Sequence, residues 1–88
     1  MPKLCEFYGI KIFMYWDDKD RHKIPHFHAI YNEHQASFRL NGDKIVGKFP
    51  KTATKLVKIW ALANHEILKY AWLEAIKSRP LPKIKGLM

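Results

Sequence analysis

The residues with the clearest chemical potential are His26 and His28, which flank Phe27 directly after Pro25. Side chains two apart on a strand share a face, so both imidazoles would project from one side. Histidine changes charge near neutral pH and can give or take a proton in catalysis. Arg39, a little downstream, could stabilise a phosphate. RNA cleavage needs these parts: a base for the 2′-hydroxyl proton, an acid for the leaving oxygen and a cation for the phosphate. His26, His28 and Arg39 are therefore the catalytic candidates for a metal-independent ribonuclease. A metal site is the rival, because two histidines at this spacing can also reach one ion. His22, His34, Asp17, Asp18 or Asp20 would then complete it. The chain has no CxxC and no second pair, and Arg39 and Lys44 would repel a cation, so no metal ligand set and no cofactor is assigned. The plain alternative is a set of solvated strand histidines.

A tight turn at Asn32-Glu33 would place His26 opposite Arg39, Phe27 opposite Phe38, His28 opposite Ser37 and Ala29 opposite Ala36. A two-residue turn at Asn41-Gly42, a strong hairpin signal, would place Phe38 opposite Ile45 and Arg39 opposite Lys44. Both registers sort apolar partners to one face and polar partners to the other, which a one-residue slip would destroy. The strands expected are 7–16, 26–31, 35–40 and 44–49, with a charged loop at 17–25. Along the first, Ile10, Ile12 and Met14 would face one side, and Lys11, Phe13 and Tyr15 the other. Residues 51–78 carry helical periodicity through Ala53, Leu56, Val57, Trp60, Ala63, Ile67, Leu68, Ala71 and Ala75. Thr52 is the expected N-cap. Asn64-His65 could divide the segment into two helices, with Asn64 capping the second. Pro80 and Pro82 leave residues 80–88 extended. The fold class is α+β: an antiparallel meander of about four strands over residues 7–49, with a C-terminal helix or helix pair packed on one face. The 88 residues form a single domain.

The formal charge of +8 is uneven. Residues 1–44 carry seven Lys/Arg against six Asp/Glu; residues 45–88 carry nine against two. A basic half suits nucleic acid or an acidic protein. Lys51, Lys55 and Lys58 form one helical stripe that could track phosphates, with Lys44 and Lys48 upstream. Tyr15 is the aromatic whose parity suits base stacking. Cys5, the single cysteine, has no internal disulfide partner and points to a reducing, cytoplasmic setting. Its sequence neighbours give no reason for reactivity. The N-terminal stretch does not read as a secretory signal, and the chain has no apolar run of transmembrane length.

The segments FYGIKIFMYW, IPHFHAIYNEHQASF, GKFPKTATKLVKIWALANHEILKYAWLEAI and RPLPKI resemble the bacterial and archaeal family called domain of unknown function 4160. The PHFHA motif falls on Pro25, His26, Phe27, His28 and Ala29. Ile24 stands where typical members have a further proline, and the preceding loop, DDKDRHK, is longer. Members are short proteins often encoded beside a second small protein of another uncharacterised family, numbered 2442, a pairing that resembles a toxin–antitoxin module. The resemblance implies a toxin-like or otherwise partner-bound role and supplies no settled reaction. The combined expectation is a toxin-like protein acting on RNA and held by a small antitoxin-like partner. A non-catalytic nucleic-acid or protein-binding module is the alternative, and a homodimer is left open.

Overall fold

The computed structural model describes residues 3–15 and 24–87. Five antiparallel strands, β1 (Lys3–Phe7), β2 (Ile10–Phe13), β3 (His26–Tyr31), β4 (His34–Arg39) and β5 (Lys44–Lys48), lie side by side in chain order. Two helices follow, α1 (Lys51–Ala63) and α2 (His65–Ile76). The sheet thus has five strands rather than four. The segment expected as one strand from residue 7 is interrupted by a turn at Tyr8-Gly9, where both residues take positive φ and Phe7 pairs with Ile10. A tyrosine rarely adopts that conformation, so the usual Asn-Gly or Asp-Gly cue is missing here. The parity of β2 is as expected: Ile10, Ile12 and Met14 are fully buried and Lys11 is exposed.

The β3–β4 register follows the alternation argument, with His26 opposite Arg39, Phe27 opposite Phe38, His28 opposite Ser37 and Ala29 opposite Ala36. The next hairpin departs from it. The N–H of Gly42 bonds to Arg39 O and the N–H of Arg39 to Asp43 O, so Leu40-Asn41-Gly42 is a three-residue loop. Gly42 has φ of 92°. A Cβ there would lie 2.7 Å from Lys58 Cα, so the bare hairpin tip seats directly on α1. The extra loop residue shifts the ladder. Phe38 faces Lys44 rather than Ile45, Arg39 does not face Lys44, and Ser37–Val46 and Gln35–Lys48 keep the expected register.

Phe27, Ala29, Ala36 and Phe38 join the buried β2 residues in a core closed by Ala53, Val57, Trp60 and Ala61 of α1 and Leu68, Ala71, Trp72 and Ala75 of α2. Trp60 is its centre, 5.6 Å from the Phe7 ring and 5.5 Å from the Phe27 ring. Its indole N–H donates to Lys85 O at 2.9 Å. Ile84 N–H donates to Leu4 O, so the extended tail returns along β1. Burying one such ring contributes several kcal/mol, on the order of 3–5 for Trp.

One capping expectation is corrected and the other holds in position. Pro50, not Thr52, occupies the N-cap of α1 without a side-chain cap bond. Pro50 presets a suitable backbone at the helix entry, and the Thr54 hydroxyl donates back to Pro50 O. Asn64 does divide the helices. It stands at the N-cap of α2, as expected, but makes no side-chain cap bond there; its side-chain amide donates to Trp60 O at 2.9 Å instead.

Candidate functional site

His26 is not on an open surface: it is 0% exposed. Its Nδ1 lies 2.6 Å from Ile24 O. A carbonyl oxygen only accepts, so Nδ1 carries the proton and donates. The ring packs 5.3 Å from Trp72 and 5.2 Å from the His28 ring. Strand alternation correctly pairs the two histidines on one face. It could not foresee that Trp72 of α2 reaches the end of the sheet where β3 begins.

His28 is half-buried, with its Nδ1 3.3 Å from Ser37 Oγ and its ring 4.8 Å from that of Tyr15. The Nε2 atoms of both histidines are buried. Partial burial raises the Tyr15 pKa above its ordinary value. His28 borders a shallow groove of about 180 Å³ with Gln35, Ala36, Ser37, Val46 and Gly47. Arg39 lines a different groove, of about 300 Å³, with Ile24, Pro25, Leu40, Asn41, His65 and Lys69. The structure thus brings the two imidazoles into contact and sets Arg39 across from His26, but it encloses the His26 ring, while His28 and Arg39 border different grooves.

The lysines gather differently. Lys44, Lys48, Lys51, Lys55 and Lys58 are all exposed. Lys51 follows Lys48 by three residues, while Lys58 at the far end meets Asp43 beside the hairpin tip. The helix thus runs back along β5. Lys44 to Lys48 covers about 13 Å of strand, and Lys51 to Lys58 about 10 Å of helix. Lys48 pairs with Gln35 and so stands on the face turned away from the helix-covered Ala36 and Phe38, leaving the two basic rows on adjoining elements. Lys51, Thr54, Lys55, Lys58 and Ile59 line a broad groove of about 650 Å³. The Lys58 ammonium, bonded to Asp43, holds that carboxyl below its ordinary pKa. Lysines on an edge strand also discourage sheet-to-sheet pairing, and β5 is such an edge. That role does not account for the helical row. Tyr15 stands with His28 rather than here: it follows β2, three strand spacings from β5, about 14 Å.

Among the described residues no three His, Cys, Asp or Glu side chains gather as a metal site would require. Asp17, Asp18, Asp20 and His22 lie outside the described residues. His34 sits beside Glu33, five residues along β4 from Arg39, about 17 Å. Burial pushes the Cys5 thiol up to about 12, far from a reactive thiolate. His65 and Lys69 are the site residues that sequence reasoning missed. Their shared face at i, i+4 becomes visible only once a helix starts at residue 65.

An antiparallel five-strand meander with a two-helix cover, carrying a His-Phe-His run at the start of its third strand, defines the class: a small α+β protein with a basic strand–helix edge. The chain belongs to the family described as domain of unknown function (DUF4160), whose model matches residues 9–73. The match runs from the first turn through the PHFHA motif and into α2, leaving β1 and the returning tail outside. No curated protein and no solved structure matches the chain. No helix among the described residues is long and apolar enough to cross a membrane.

Proposed function

We propose that this protein binds RNA along the β5–α1 edge and acts as the toxin-like member of a two-protein pair. The observation that carries the binding reading is the run of exposed lysines, Lys51, Lys55 and Lys58 along one groove of α1 with Lys44 and Lys48 on the adjoining β5. A nucleic-acid backbone is the extended polyanion that such a strip suits, and each phosphate neutralised releases counterions. RNA cleavage by His26, His28 and Arg39 has weaker support. A general acid or base must reach the proton it moves, and His26 is enclosed while Arg39 borders another groove. His28, at the rim of its own groove, is the histidine better placed to meet a substrate.

The test is fluorescence anisotropy with a labelled single-stranded RNA, run with gel analysis of the same RNA. Binding that weakens in Lys51→Gln/Lys55→Gln, with the RNA intact, supports a non-catalytic binder. Cleavage abolished in His28→Ala supports the enzyme. Absence of both binding and cleavage refutes the RNA reading.

A second reading, as a protein-binding module, is favoured by Ile59 and Leu62 on α1 and Tyr70, Leu73 and Ile76 on α2, all exposed. Apolar patches rimmed by charge mark interaction surfaces. The flanking Lys55, Lys58 and Lys69 select an acidic amphipathic segment as the occupant, as an antitoxin-like partner would supply. Co-purification with a small protein of the companion family, lost in Leu62→Glu, supports that partner. A complex untouched by Leu62→Glu and Leu73→Glu rules out this face.

A further inference from the structure

We propose that the groove between the β4–β5 hairpin and the start of α2 is a binding site for a phosphate monoester, either a free one or the end of a nucleic-acid strand. Arg39 comes to it from β4, and His65 and Lys69 from adjacent turns of α2. A guanidinium fork matches two phosphate oxygens at once, and a lysine adds a point charge. Ile24, Pro25 and Leu40 supply an apolar wall beside these charges. Charged groups next to an apolar wall suit a nucleotide, with phosphate at one end and a base or sugar at the other. The volume, about 300 Å³, is at the lower end for small-molecule sites.

The neighbouring carboxylates do not occupy this position firmly. Glu66 lies 3.0 Å from Lys69 Nζ and 4.0 Å from His65 Nδ1, but its side chain is 84% exposed. Surface pairs of this kind are weak and screened by salt, so an incoming dianion displaces it. Asp43 is engaged by Lys58 and by the Asn41 side-chain amide. A monoester carries close to two charges near neutral pH, against one for an internal diester, so the groove discriminates ends from middles. The same hairpin seats on Lys58, which sets the groove at the end of the lysine strip. The strand-end source rests on the RNA reading; the free-phosphate source does not.

The test pairs two ligands sets on the native chain and on Arg39→Gln and Lys69→Gln, both at exposed positions. One set is a ten-nucleotide RNA with either a 5′-phosphate or a 5′-hydroxyl. The other is inorganic phosphate and adenosine 5′-monophosphate, followed by amide shifts of residues 39–42 and 65–69. The expected result is at least fivefold tighter binding of the 5′-phosphorylated RNA, with the preference erased in both variants. Lys51→Gln should weaken both RNAs and keep the preference. Phosphate shifts without an end preference, or without any RNA binding, assign the site to a free monoester and leave the proposal standing. Equal affinity for both RNA ends together with no phosphate-induced shift in the groove overturns it, while RNA binding along the strip would survive.

Discussion

Neutralising Lys51 and Lys55 should change how RNA binding responds to salt, and the structure sets the size of the change. Five lysines line the strip, and Lys58 is already bonded to Asp43, which leaves four for phosphates. For a single strand, log K falls with log salt at about 0.7 per neutralised phosphate, giving a slope of about −2.8. Between about 50 and 200 mM salt the affinity should then drop roughly 50-fold. Lys51→Gln/Lys55→Gln removes two of the four contacts. The slope should fall to about −1.4 and the drop to roughly sevenfold. Both residues are exposed, so the melting curve should be unchanged. The assay is anisotropy of a labelled RNA at four or more salt concentrations. A variant slope equal to the native one would refute the assignment of the strip as the binding surface.

Four further outcomes follow from the packing and the titrating groups. His26→Ala should lower unfolding stability by about 2–4 kcal/mol, since it empties a fully buried site and removes the bond to Ile24 O; an unshifted urea midpoint would contradict its burial. His28→Ala, half-buried and bonded to Ser37, should cost nearer 1 kcal/mol in the same assay. Asp43 has a folded pKa below its ordinary 3.8, chiefly through its bond to Lys58, so its contribution is present above that value and is lost as pH falls through the folded value. Asp43→Asn should flatten the acid limb of the stability curve below about pH 4, and an identical limb would remove the pairing. Cys5 should resist a thiol reagent at neutral pH in the folded chain and react on unfolding, because burial holds its pKa at about 12; rapid modification of the native protein would disprove this.

Much of the sheet was legible because period-2 alternation is self-checking. Two hairpins had to agree on which side of β4 was apolar, and Phe27, Ala29, Ala36 and Phe38 satisfied them together. The errors lie where local chemistry beats pattern. Tyr8 adopts a conformation that its residue type does not advertise, and one extra residue at Leu40-Asn41-Gly42 displaces Lys44 by a position. The site was less legible than the fold. Alternation tells which face His26 occupies, but not that Trp72, 46 positions along the chain, covers it. The groove holding Arg39 with His65 and Lys69 is likewise assembled from two distant segments. By contrast, the lysine rows were readable, because one stripe is helical, the other stands on the preceding strand, and only Phe49 and Pro50 separate them.

The most direct test of the central claim is a nuclear magnetic resonance footprint of single-stranded RNA on the isotopically labelled native chain. The account predicts shift changes concentrated at residues 44–48 and 51–58, with the resonances of His28 and Ser37 little altered and the RNA recovered intact. Shifts confined to the groove around His28, or no shifts at RNA concentrations that saturate the anisotropy signal, would contradict it.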